Sequence, residues 1–322
     1  MPRVIAFDTE TTDKGPVGGT PGLTYKEKQV IERALVEKDT NIASTYWAEW
    51  VEQWPRITQL SYILYDTDNP SAAKIFNKYI DLPPDVIIAA GASAVTKVFT
   101  TPEDVVAKNI TLVDESTGVP TLLTPTTPGI FVLSEMKRAS PESFLPIEAA
   151  MAEFMADLKT CNFVVAHNID FDKKMILAEL VRLKREPDFY GILAEDNFIC
   201  TMMRSIQVCK IAKMNKFGRM EYKWPKLKEA YQTLFGYEPT GDALHNAIID
   251  VIVCLRVFFK LGVAGPQLDI CGTNAEITEL INSISPPAFK CPTAGGRKKR
   301  RAKKTKKQSG KLRRSKRLHK RV

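Results

Sequence analysis

Residues 3–13 read RVIAFDTETTD: an apolar run that passes straight into two carboxylates, Asp8 and Glu10. The run predicts a β-strand over residues 3–9. Side chains alternate across a strand, so two residues of separation put Asp8 and Glu10 on one face. Two charges buried on a core strand are costly unless something neutralises them. A divalent cation does so directly, and hard oxygen ligands suit Mg²⁺ or Mn²⁺ rather than zinc. An Asp-x-Glu pair alone is common, so its reading depends on the rest of the chain.

Two further strings supply matching chemistry. AHNIDFD, residues 166–172, follows the short apolar run FVV and carries Asp170 and Asp172. HNAIID, residues 245–250, opens an apolar helical pattern with His245 and closes on Asp250. The chain has three histidines, His167, His245 and His319, and two of them fall inside these strings. Asn168 also fits a helix cap.

In order and content the three strings resemble the three motifs of the DEDDh branch of the DnaQ-like 3′–5′ exonuclease superfamily. FDTETT at 7–12 is similar to the first, His167–Asp172 to the second (HNxxFD), and His245–Asp250 to the third (HxAxxD). WPRITQLSYILYD resembles the family's second strand and FVVAHN its fourth. The similarity runs from residue 3 to about 262, with a poorly matching middle. It resembles the proofreading exonuclease subunit of bacterial replicases and, through KWPKLKEAYQTLFG, versions encoded by large DNA viruses. The resemblance implies an α/β, ribonuclease-H-like fold: a mixed five-stranded sheet with helices on both faces. It implies a site of Asp8, Glu10, Asp172, His245 and Asp250. Asp8, Glu10 and Asp250 would hold one of two divalent cations, Mg²⁺ or Mn²⁺; Asp8 would bridge to the second, with Asp172 in its shell. His245 would act as general base. His245 and Asp250 are five apart, so a regular helix would not place them on one face, and His245 belongs on the loop before the helix. Thr11, Thr12 and Asn168 are candidate substrate-binding residues. Asp170 stands where the family often has a small residue and reads as solvent-facing. Asp13 replaces a usual glycine, which bears on the turn and not on the ligands.

The expected activity is metal-dependent 3′–5′ hydrolysis of DNA, in proofreading or repair, on single-stranded or frayed 3′ ends. A proofreading role would need a separate DNA polymerase. The alternatives are a 3′–5′ exoribonuclease of the same fold and a non-catalytic nucleic-acid-binding protein. A 2′-hydroxyl distinguishes RNA from DNA, and no residue here reveals which is read.

Composition sets the frame. A chain of 322 residues with 44% apolar content can bury a sizeable core. It has no apolar run of about 18 residues, so no membrane span is expected. The strand begins at once, which leaves no room for a signal peptide. Six scattered cysteines, without a C-x-x-C pair, read as reduced thiols of an intracellular protein. Residues 297–322 hold 16 Lys and Arg and no acid, while the other 296 residues carry 30 basic and 37 acidic side chains, net −7. Such a tail cannot fold alone, since its charges repel and it lacks apolar residues. It reads as a nuclear import signal, a nucleic-acid tether or a solvated tail.

The expected organisation is an exonuclease domain over 1–262, a short helix and linker over 263–296, and a disordered basic tail over 297–322. Strands are expected at 57–66, 74–80 and 163–167. Helices are expected at 146–160, 172–184, 223–235, 246–261 and around 274–282. Insertions are expected at about 14–54 and 82–145. In the first, Trp47, Trp50 and Trp54 form a helical stripe, read as buried or as a base-stacking platform. The second, rich in Pro and Thr, reads as long loops and a small insertion.

Overall fold

A computed structural model describes residues 2–14, 51, 54–113, 118–185, 188, 191–192, 197–240 and 246–292. His245, Trp47, Trp50 and the basic tail lie outside these residues.

The elements are β1 (Arg3–Thr11), β2 (Ile57–Asp66), β3 (Lys74–Ile80), α1 (Ala90–Thr96), β4 (Val98–Phe99), α2 (Pro102–Lys108), β5 (Thr111–Val113), β6 (Pro120–Leu122), β7 (Phe131–Val132), α3 (Leu133–Ala139), β8 (Phe144–Leu145), α4 (Ile147–Leu158), β9 (Phe163–Ala166), α5 (Ile169–Arg182), β10 (Phe198–Cys200), α6 (Thr201–Cys209), β11 (Ala212–Met214), β12 (Met220–Tyr222), α7 (Leu227–Phe235), α8 (Ala247–Lys260) and α9 (Ala275–Ser283). The main sheet runs β10-β9-β1-β2-β3-β8. β2 is antiparallel to β1 and β3, whereas β9 is parallel to β1 and to β10. The sheet is therefore mixed, as expected, but it has six strands rather than five. The sixth, β8, is two residues long and pairs in parallel with the end of β3. So short a strand leaves no alternation to read.

Alternation along β1 divides the core. Ile5 and Phe7 pack with Phe154 of α4 and Met175 and Leu180 of α5. Val4 and Ala6 pack on the opposite face with Ile252, Leu255 and Phe259 of α8. The continuous apolar run of the strand thus reflects burial on both faces by helices. Trp54 is half-buried against the α4–α5 side.

Residues 82–145 correct the expectation of long loops. Their described residues form three α-helices of about two turns, a short 3-10 helix (Pro141–Ser143), a parallel β4–β7 pair and an antiparallel β5–β6 pair. Ile88, Ala92, Val98 and Leu133 pack against Tyr79 and Phe144 at the edge of the main sheet. Phe99, Val105, Ile110, Leu123 and Val132 form a second small core. The cysteine reading is corrected too. Cys271 and Cys291 form a disulfide, because α9 and a following turn return the chain until their Cα atoms stand 5.6 Å apart. Cys161, Cys200, Cys209 and Cys254 are free. Among the described residues no helix is long and apolar enough to cross a membrane.

Candidate functional site

The parity of β1 places the carboxylates. Asp8 and Glu10 continue the Val4–Ala6 face and so point toward α8, which brings Asp250 in its first turn. One oxygen or more from each of Asp8, Glu10 and Asp250 falls within a 4.8 Å cluster. Thr9 has the opposite parity and meets α5. Its backbone N–H and its hydroxyl donate to the same oxygen of Asp172, at 3.1 and 2.9 Å. Asp172 is 3% exposed and stands in the first turn of α5. Two helices therefore each deliver one carboxylate from the fourth helical position, where the positive end of the helix dipole favours an anion. A register irregularity between Glu10 and Thr11 bends the β1–β2 ladder at the site, just before its last pair, Thr11–Ile57.

Electrostatics mark the cluster as strained. Burial pushes the Asp8 carboxyl well above its usual range, and Asp172, Asp250 and Glu10 push it further. Glu10 is raised by burial, then by Asp250 and Asp172. Asp172 is raised by burial to about 7, with the Thr9 hydrogen bonds holding it down and Asp250 raising it. Proximity of like charges in a poorly solvated place produces this pattern. The donor set is three close carboxylates, oxygen only, with a fourth beside them. That chemistry fits a hard divalent cation, which supplies the missing positive charge.

The other sequence-predicted residues have different surroundings. The Thr11 hydroxyl donates to the Asp13 carbonyl at 2.5 Å. The Thr12 hydroxyl accepts from the Arg56 N–H at 3.0 Å, and its carbonyl accepts from Ala89 at 2.7 Å. Both threonines are buried, and Thr12 ties the second insertion to the site strand. Asn168 occupies the N-cap position of α5 with φ 67°, but its side chain makes no capping bond. Asp170 is exposed, two residues before Asp172. Asn246 caps α8, accepting from the Ile248 N–H at 3.3 Å, so His245 precedes the cap in sequence.

Four residues that the sequence gives no role contribute to the site: Thr9, Gln59, Ser61 and His167. Thr9 has odd parity in FDTETTD, so it lies on the face opposite Asp8 and Glu10, toward α5. Gln59 and Ser61 are buried polar residues of β2, lying opposite Glu10 and Asp8 respectively. Both donate to Asn77 at 2.8 Å, and Gln59 also reaches the Asn246 amide oxygen at 3.3 Å. Gln59 thus links the sheet to the start of the helix that carries Asp250. His167 is the fourth. Its Nδ1 lies 2.9 Å from the Thr201 hydroxyl, and its Nε2 lies 3.1 Å from the Pro225 carbonyl. Burial lowers the imidazole to about 4, so it is neutral at pH 7 and braces the β9–α5 junction.

The chain is similar in structure to Exonuclease I (apo), at 13% identity and a TM-score of 0.43, over 82% of this chain and 42% of that one. It is likewise similar to E. coli Exonuclease I in complex with a dT13 oligonucleotide, at 14% identity and a TM-score of 0.43, over 81% and 41%. The chain spans about two fifths of the length of these structures. No protein-family model and no curated protein matches the sequence.

Proposed function

We propose that this protein is a metal-dependent 3′–5′ exonuclease of the DEDDh type acting on DNA ends. The observation that carries the reading is the convergence of Asp8, Glu10 and Asp250 from two elements 240 residues apart in sequence, with Asp172 held beside them by Thr9. These are the carboxylates of the three sequence motifs, and their proximity supports the reading. Asp8, Glu10 and Asp250 would hold one divalent cation, and Asp8 and Asp172 the other. When bound, such ions would supply positive charge against the reacting phosphate and would lower the pKa of a water. The chain's own part is to bind and to move protons. Thr9 fixes the orientation of the Asp172 carboxylate. Gln59 and Asn246 anchor the helix start that presents Asp250. A ring nitrogen of His245 takes the proton from the attacking water; an imidazole titrating near about 6.5 suits that role.

The direct test is end-labelled single-stranded DNA, duplex DNA and RNA, each incubated with Mg²⁺ or Mn²⁺. Stepwise shortening of DNA from the 3′ end is expected, and its loss on chelation. Faster shortening of RNA would move the protein to the exoribonuclease reading. No shortening of any of the three would sink the proposal.

His245→Ala should lower kcat by roughly 10²–10⁴, the usual range for a lost acid–base group. Binding of single-stranded DNA in Ca²⁺ should change little. The acidic limb of the wild-type rate–pH profile should disappear with the ring. An unchanged kcat would remove the histidine from the mechanism.

The tail carries the excess positive charge of the whole chain. Removing residues 297–322 should weaken nucleic-acid binding and flatten its salt dependence, since fewer counterions are released. kcat on saturating substrate should stay near the full-length value, and in a eukaryotic cell, if the basic runs are read by import receptors, nuclear accumulation of a fluorescent fusion should be lost. An unchanged salt slope together with unchanged localisation would leave only the solvated-tail reading.

A further inference from the structure

Between α6 and α7 the chain leaves the body as a two-stranded ribbon, β11–β12, paired Ala212–Tyr222, Lys213–Glu221 and Met214–Met220. By strand alternation Met214, Met220 and Tyr222 share one face. That face is uncovered: Met220 is 65% exposed and Met214 64%. Phe217 at the tip is 75% exposed, and Trp224 at the base 64%. An apolar, aromatic face left in water on so small an element marks an interaction surface.

The ribbon is built to hold its shape. The Asn215 side-chain oxygen accepts from the Phe217 and Arg219 N–H groups, at 2.9 and 3.0 Å. Asn215 and Arg219 also close a backbone bond, and Gly218 takes the left-handed conformation (φ 74°) that the turn requires. At the other end the Lys223 N–H bonds the Ile211 carbonyl at 2.9 Å.

Charge and position identify the occupant. From Lys210 to Lys223 there are five cations and one acid, although the chain before the tail is net negative. The acid, Glu221, accepts from the Asn215 amide at 3.1 Å, and Lys223 pairs with Glu229. Lys210, Lys213, Lys216 and Arg219 face solvent. Lys216 lies over the Phe217 ring at 5.1 Å. The ribbon's base is anchored beside the site: Pro225, two residues past Lys223, gives its carbonyl to His167, at the junction from which α5 delivers Asp172. We infer that the β11–β12 ribbon is a binding arm for single-stranded nucleic acid, stacking unpaired bases on its aromatic and methionine face while its flanking cations meet the phosphates. The occupant is a single strand because a duplex hides the base faces that such a platform engages. Its role in feeding a strand to the carboxylates rests on the exonuclease reading; its binding chemistry does not.

Binding is therefore tested without hydrolysis, on the full-length chain in EDTA. An oligodeoxynucleotide carrying 5-iododeoxyuridine is irradiated with the protein, and the cross-linked peptides are mapped. Adducts are expected within residues 214–224, fewer with a duplex of the same sequence. Phe217→Ala combined with Trp224→Ala should weaken single-strand binding roughly 5- to 150-fold, the range for losing a stacked base. Lys213→Gln, Lys216→Gln and Arg219→Gln together should make the slope of log K against log salt shallower by about 2. The charge-conserving set Lys213→Arg, Lys216→Arg and Arg219→Lys should restore it. Thermal melts of all variants report folding, and a variant that does not fold is replaced by single substitutions at Phe217 and Lys216, both at the exposed tip. Adducts confined to the basic tail, or unchanged affinity and salt slope in folded ribbon variants, overturn the inference and leave a protein partner for this face. Adducts on the ribbon in a chain that degrades no nucleic acid would uphold the arm while refuting the nuclease.

Discussion

Asp8→Asn should abolish hydrolysis and, in the absence of metal, make the protein more stable. The two effects have one cause. Asp8 lies among Glu10, Asp172 and Asp250, and burial plus these three neighbours raise its carboxyl well above its ordinary value. The folded cluster therefore binds protons more tightly than the same groups do in the unfolded chain, where they titrate near about 4. Its favourable contribution is complete below that value. It is lost as pH rises through the folded values, about 7 for Asp172. Raising the pH without metal therefore costs the wild type more than the variant, in which asparagine removes the central carboxyl while keeping its shape. The variant should melt higher than wild type in EDTA at pH 8, by about 2–4 °C for each kcal/mol of repulsion removed. The gap should close near pH 5. Adding Mg²⁺ or Mn²⁺ should raise the wild-type midpoint and leave the variant's nearly unmoved, since a ligand that binds only the folded state stabilises it. Residual hydrolysis above a hundredth of wild type, or a metal-induced rise in the variant equal to that of wild type, would remove Asp8 from the metal site.

Much of this arrangement is legible in the sequence because it depends on short periods. Apolar residues on both parities of residues 4–7 signal a strand covered on both faces, and two-residue spacing puts Asp8 and Glu10 on one of them. Apolar spacing across 247–259 signals the helix that carries Asp250 to that face. What escaped has physical reasons. The elements of residues 82–145 are two to seven residues long, too short for either period to emerge, and PTLLTPTTPG carries the composition of loops. Their order comes from tertiary packing of scattered residues such as Phe99, Val105 and Val132. The β11–β12 turn, NKFGR, lacks the Asn-Gly signal of a two-residue hairpin and relies on Asn215 instead. KWPKLKEAYQTLF reads as one helix from 223, yet α7 begins at Leu227. Pro225 sits two residues before it, committing its carbonyl to His167. The Cys271–Cys291 pair spans a helix and a turn, so its closure depends on where α9 directs the chain, which spacing alone does not encode.

The same logic separates two acids two residues apart. Asp170 and Asp172 both stand in the first turn of α5, and both benefit from its dipole. Asp170 is exposed, whereas Asp172 is buried and turned toward Thr9. An Asp172→Asn side chain can keep its oxygen on the Thr9 N–H and hydroxyl, so the fold should hold and the melting temperature should not fall. What it loses is the negative charge beside Asp8 and Asp250. Hydrolysis should drop by orders of magnitude through kcat, with single-strand binding in Ca²⁺ much less affected. Asp172→Ala adds a second cost, because two Thr9 donors lose their buried acceptor. Unmet buried donors cost about 1–3 kcal/mol, so this variant should be both inactive and less stable. Asp170→Asn should remain within about twofold of wild type in rate. Rates and melting curves of the three variants measured side by side test the assignment, since only a buried, charge-bearing Asp172 predicts that Asn and Ala part company in stability while agreeing in activity. Activity lost in Asp170→Asn and kept in Asp172→Asn would move the second motif's carboxylate by two residues and break the link between Thr9 and the chemistry.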